Sequence, residues 1–337
     1  MPNRIVNLGI VGLGYWGPNL VRNFSEVDSC HVAMACDSEE RRLRPIKKRY
    51  PSVEITTKYQ DMVNASNIDA IAIATPVVSH YELAKQALER GKHVLVEKPL
   101  CATVQETESL IEIARRCGKI LMVDHTFLYT SSVRKTKELV SKGELGELYY
   151  FDSVRINLGL FRPDVNVIWD LAPHDISIAD YLLEEEPASV SVLGRDFGNS
   201  KIACIAYMTL RYRSGVIAHI HVSWLSPVKI RRIIIGGSKR MIIYDDVEPT
   251  EKIRVYDRGI EFDYDKENSL QPTYRLGDIY IPKLDQKEAL LVEAEHFIDC
   301  ILTGKKPLTD AAFGLTVVKI LEASDISLRE GGREVRL

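Results

Sequence analysis

From residue 5 to about 123, short β-branched apolar runs alternate with segments long enough to be helices, and this alternation constrains the fold more than any other feature. The runs at 6–11, 32–35, 70–74, 93–96 and 120–123 read as strands, and 18–24, 39–50, 80–90 and 104–117 as the amphipathic helices between them. Repetition of this kind folds into a parallel sheet with right-handed crossovers. Residues 1–123 are therefore expected to form a doubly wound α/β domain. Gly91 and Gly118 stand where helix-ending glycines belong.

After residue 124 the runs lengthen and alternate with period two, at 148–157, 188–193, 202–213, 215–224, 229–236 and 241–244. Arg213-Ser214-Gly215 and Gly236-Gly237-Ser238 read as hairpin turns, so a large, mostly antiparallel sheet is expected. Helices are expected at 173–183, 286–302 and 311–329, giving an α+β domain over 124–337 whose last helix packs back near the domain boundary. Residues 245–285, rich in charge and tyrosine, show no readable pattern.

The formal charge of -3, from 44 basic and 47 acidic side chains, offers no general attraction to nucleic acid or an anionic membrane, so an anionic ligand must be met by local charge. No run approaches the roughly 20 apolar residues needed to span a bilayer, and Met1-Pro2-Asn3-Arg4 leads directly into a strand rather than a signal peptide. Cys30, Cys36, Cys101, Cys117, Cys204 and Cys300 form no CxxC and have no close His partner. That excludes a zinc site and a disulfide framework and leaves reduced thiols in a cytoplasmic protein as the expectation, with no metal.

The first strand ends in Gly12-Leu13-Gly14-Tyr15-Trp16-Gly17, a GxGxxG at a strand-to-helix turn, with Pro18 in the first helical turn. Glycines there let the backbone approach a pyrophosphate whose charge sits at the helix N-terminus. Asp37 follows Gly17 by 20 residues, where a carboxylate accepts from ribose hydroxyls and repels a 2′-phosphate, which favours NAD over NADP. Arg41 and Arg42 are in reach of such a phosphate but read as part of a solvated basic face with Arg44, Lys47, Lys48 and Arg49. Thr75 and Pro76 end the third run at the carboxyl edge, either touching cofactor or making a structural turn. His80 is either a cofactor contact or a helix-start residue.

A charged pair, Glu97-Lys98, closes the buried run 93–96, and Pro99 holds Lys98 extended or opens the way to a cis peptide bond. In the second domain, Asp170 and His174 stand four apart and share a face of one helical turn, with Pro173 between them. A histidine is suited to take a proton from a hydroxyl whose carbon loses hydride; alternatively Asp170 caps the helix and His174 is a core residue. Arg162, in a loop before this helix, is either a diphosphate contact or a surface arginine. Arg155 reads as part of a solvated strand face. His125 either lines a substrate pocket or simply closes the domain boundary, and Tyr129 is a further candidate for the pocket.

Together, GxGxxG with Asp37, Glu97-Lys98-Pro99 and Asp170-xxx-His174 resemble the Gfo/Idh/MocA oxidoreductases over nearly the whole chain, which implies an N-terminal Rossmann domain binding NAD. The resemblance implies Lys98 and His174 as acid/base groups, with Asp170 orienting substrate or histidine, in a site shared by two domains. Gly14 to Leu20 and the run Asp124 to Tyr129 are most similar to the UDP-N-acetylglucosamine 3-dehydrogenase branch. Hydride would then pass between a ring carbinol, commonly C3, and NAD. Tyr129-Thr130-Ser131 departs from relatives that carry asparagine or arginine there, which leaves the sugar contacts open. A free sugar or inositol dehydrogenase, a trans-dihydrodiol or biliverdin type reductase, and a non-catalytic dinucleotide sensor are the competing readings. A homodimer or homotetramer formed through the second sheet is expected, with Tyr207, His219, His221 and Trp224 either on its open face or in the core.

Overall fold

The computed structural model describes residues 4–159, 161–162, 165–198, 200–262 and 272–337. They divide into two compact units, one of residues 1–129 with 287–319 and one of residues 130–286 with 320–337.

In the first unit the order is β1 (Val6–Val11), α1 (Gly17–Ser25), β2 (Cys30–Cys36), α2 (Glu40–Arg49), β3 (Glu54–Thr56), α3 (Tyr59–Asn64), β4 (Ala70–Ile73), α4 (His80–Glu89), β5 (His93–Glu97), α5 (Val104–Cys117) and β6 (Leu121–Asp124). The six strands are parallel, in the order β3-β2-β1-β4-β5-β6. Helices cover the faces of such a sheet, so its strands are apolar throughout rather than alternating. Every residue of β4 and β6 is accordingly buried. The short β3 and α3 carry too few apolar residues to stand out in the sequence.

The second unit contains α6 (Ser131–Ser141), β7 (Leu148–Ile156), α7 (Val167–Leu183), β8 (Ser189–Asp196), β9 (Ala203–Arg211), β10 (Ile217–Ser223), β11 (Ile230–Gly237), β12 (Met241–Asp245), β13 (Ile253–Phe262) and β14 (Pro272–Tyr280). With β15 (Val335–Arg336) they form a nine-stranded sheet, β14-β13-β12-β11-β7-β10-β9-β8-β15, antiparallel except where β7 pairs with β10. Ala206, Met208 and Leu210 of β9 are fully buried on the face that α7 covers, while Tyr207 is 46% exposed on the other. Two strands, β13 and β14, lie within 245–285. Nearly every residue of β14 is exposed, so no inside–outside contrast marked it in the sequence.

Residues 287–319, expected in the second domain, belong to the first. They carry α8 (Ala289–Thr303) and the start of α9 (Ala311–Arg329). Glu288 accepts two bonds from Arg22 at 2.8 and 2.6 Å, and Phe297 meets Phe24 edge to face. Thr309 exchanges backbone and hydroxyl bonds with Val123 at 2.8 and 2.6 Å. Contacts this distant in sequence leave no local signature.

Candidate functional site

The glycine turn follows from its sterics. Gly12 sits at φ +91°, and a Cβ there would lie 2.6 Å from the Ala74 backbone; a Cβ at Gly17 would lie 2.0 Å from the Gly12 carbonyl oxygen. Gly14 has nothing within 4 Å of a Cβ, and no side chain caps the start of α1. That open backbone beside uncapped amides fits a dinucleotide pyrophosphate. Tyr15 is 82% exposed and packs edge to face on the half-exposed Trp16. Asp37 is buried, its Oδ2 accepting from Leu13 N at 2.7 Å and Oδ1 from Glu39 N at 2.9 Å, so it anchors the turn as well as facing it.

Thr75 and Pro76 follow β4, and the Ser79 hydroxyl donates to Thr75 Oγ1 at 2.7 Å. His80, weighed as a cofactor contact, is a brace. It is 1% exposed, with Nε2 2.8 Å from the Thr75 carbonyl and Nδ1 3.0 Å from that of Pro99. Burial, above all, pushes its pKa down.

Lys98 follows β5 half-buried, and its bond to Pro99 is cis. Glu97 is buried and in register with Asp124 of β6. Burial first, then the Asp124 carboxyl, raises the pKa of Glu97 well above the carboxylate range. The fully buried Glu293 of α8 is raised for the same reasons in the same order, so this part of the unit holds protons that exposed carboxylates would lose. His125 and Tyr129, candidates to line a substrate pocket, are interior side chains at 1% and 4% exposure. Burial, then Lys98, depresses the His125 pKa to about 3, and the Tyr129 hydroxyl meets Thr309 Oγ1 at 3.2 Å.

In the second unit α7 starts at Val167, not 173, because Asn166 caps it by accepting from Ile168 N and Trp169 N. Asp170 is thus within the first turn rather than at the cap, on one face with His174 four residues on. Asp170 accepts from Trp224 Nε1 at 2.9 Å and from Arg162 at 3.3 Å. Trp224 is buried, and Phe161 packs edge to face on it. The neighbouring Pro163 and Asp164 of the expected loop lie outside the described residues. Arg155, read from sequence as solvated, is instead 3% exposed and grips Asp175 at 2.6 and 3.1 Å, while Ser153 donates to the same carboxylate at 2.7 Å. The alternation of the strand was right; the face carrying Arg155 is the one α7 covers. Asn166 and Asp175 are supporting residues the sequence did not single out, and Trp224, weighed there as a sheet-face or core residue, is buried and supports Asp170. No cluster able to hold a metal ion occurs among the described residues.

A doubly wound parallel unit with this turn, in one chain with an α+β unit that sets an aspartate and a histidine on one helical face, defines a nicotinamide-dependent oxidoreductase. The chain belongs to the Gfo/Idh/MocA oxidoreductase family: residues 6–125 match its NAD-binding Rossmann-fold model and residues 133–243 its C-terminal domain model. It is 24% identical to the myo-inositol 2-dehydrogenase of Thermotoga maritima, with 98% of each chain covered. Among solved structures it resembles the aldose-aldose oxidoreductase of Caulobacter crescentus with a TM-score of 0.84, at 21% identity over 99% of this chain and 100% of that one. It also resembles the UDP-N-acetylglucosamine 3-dehydrogenase of Acidithiobacillus ferrooxidans with a TM-score of 0.82, at 21% identity over 96% and 98%. No described helix is long and apolar enough to cross a membrane.

Proposed function

We propose that the chain oxidises a ring carbinol, at C3 in the leading reading, of a sugar or nucleotide sugar such as a UDP-N-acetylhexosamine, with NAD preferred to NADP. Bound NAD supplies the hydride acceptor. His174 takes the hydroxyl proton, Lys98 polarises the same oxygen, and Asp170, fixed by the Trp224 indole, orients the substrate. Gly12, Gly14, Tyr15, Trp16, Gly17, Asp37, Thr75, Pro76 and Glu97 form the cofactor side. His125 and Tyr129 are assigned a supporting role, because their side chains are buried. Arg162, exposed and beside Asp170, is the residue assigned to a diphosphate.

The observation that carries this reading is the pairing of Asp170 with His174 on α7, the former held by a buried donor, in a chain of this family. A second reading, a free inositol or sugar dehydrogenase, is favoured by the full-length likeness to a myo-inositol 2-dehydrogenase. The chain is further proposed to act in the cytoplasm and to self-associate through the open face of the second sheet, where Tyr207 stacks on His221 at 4.4 Å. A panel of UDP-sugars and free polyols, followed by NADH absorbance, tests the assignment. Turnover of a UDP-aminosugar that is lost in Arg162→Ala is expected, and turnover of inositols alone would replace it with the second reading.

A further inference from the structure

The carboxylate of Glu39 holds two arginines at once beside the anchored Asp37. Arg41 Nε donates to its Oε2 at 2.5 Å and Arg42 reaches its Oε1 at 2.5 Å, while the second arm of Arg42 lies 3.5 Å from Asp37 Oδ2. Next to them is a pocket of about 430 Å³ lined by Leu13, Pro18, Arg41, Arg42, Arg49 and Tyr50. Leu13 belongs to the glycine turn and Asp37 bonds its amide, so this pocket adjoins the end of the turn that faces the adenosine ribose. Three arginines at that position form a natural phosphate receptor. Glu39 and Asp37 together offset Arg41 and Arg42, so the three arginines and two carboxylates carry a net charge of only +1.

We propose that Glu39 is a specificity-determining residue that keeps the chain selective for NAD by withholding Arg41 and Arg42 from a 2′-phosphate. Asp37 is poorly suited to do this alone, because both of its oxygens already accept backbone N–H groups that hold the turn. Glu39 has no such duty. It precedes α2 without a side-chain cap bond and is part-exposed, so its replacement spares the fold. Removing its charge adds one positive unit beside a phosphate dianion and releases Arg41 and the Glu39-bound arm of Arg42, whose other arm stays 3.5 Å from Asp37 Oδ2. Over 6–8 Å of partly aqueous path this corresponds to roughly a tenfold gain in NADP affinity. The inference rests on the assignment of this turn to a dinucleotide.

The test is calorimetric titration of the full chain with NAD and NADP separately, requiring no substrate. Wild type is expected to bind NAD more tightly than NADP. In Glu39→Gln the NADP Kd should fall about tenfold while the NAD Kd stays within twofold, and the gain should vanish when Arg41→Ala and Arg42→Ala are added. Equal wild-type affinity for the two, an unchanged NADP Kd in Glu39→Gln, or a gain that survives loss of both arginines each overturns the proposal. Failure of wild type to bind either dinucleotide would instead overturn the cofactor assignment on which it rests.

Discussion

Lys98 and His174 have roles in the proposed reaction that can be separated from cofactor binding. Lys98→Ala should leave the NAD Kd within about twofold while kcat falls by roughly 10²–10⁴, the usual worth of a positioned acid/base group. Equal loss of binding and turnover would remove Lys98 from that role. His174→Gln should lower kcat and kcat/KM alike, as expected when a group acts only in the transition state. The glycines make a sharper contrast. A Cβ at Gly14 meets nothing, so Gly14→Ala should keep the wild-type Tm yet weaken NAD about tenfold, whereas Gly17→Ala, whose Cβ falls 2.0 Å from a carbonyl oxygen, should cost about 1–3 kcal/mol of stability. Differential scanning fluorimetry with NAD titration reads both. These residues were legible in the sequence because each motif is local: six residues hold the glycines, three hold Glu97-Lys98-Pro99 and five hold Asp170 to His174. Their supports were not, because Trp224 lies 54 positions from Asp170.

At the level of elements, α7 is fastened to β7 by the buried Arg155–Asp175 pair, one residue beyond His174. Removing one partner strands a charge in the interior, so Arg155→Met should destabilise the protein by about 3–5 kcal/mol in urea unfolding. Adding Asp175→Leu should recover much of that loss, and a single-variant loss below 1 kcal/mol would show that the pair does not hold the helix. Sequence periodicity located β7 within a residue and placed Arg155 on one face with Ser153, yet it could not say which face a helix would cover. The same gap explains β13 and β14: alternation is a signal only when one side is buried. Helix starts suffered differently, since Asn166 marks the cap seven residues before the Pro173 at which the sequence pattern places the start.

For the whole molecule, the proton-holding carboxyls set a pH dependence of stability. Glu97 and Glu293 have folded pKa values raised above their unfolded ones, so their contribution is fully present below about pH 4 and is lost as pH rises through the folded values. Asp180, raised by burial to about 7, loses its share between about pH 4 and that value. The protein should therefore grow less stable from mildly acid toward alkaline pH. Glu293→Gln, which cannot ionise, should flatten that decline in a series of thermal melts; an unchanged slope would exclude Glu293 as a source. The division into two sheets was readable from the change of period near residue 124, whereas the inclusion of 287–319 with the first unit depends on contacts such as Arg22–Glu288, 266 positions apart. The chain contains three tryptophans: Trp16 in the glycine turn, Trp169 and Trp224 at the head of α7. The protein therefore carries its own optical probes, with one indole fluorophore at the dinucleotide turn and two beside Asp170. Quenching of tryptophan emission by NADH should weaken in Trp16→Phe, and a spectral shift on adding substrate should survive there but shrink in Trp224→Phe, so the two ligands can be followed without labels.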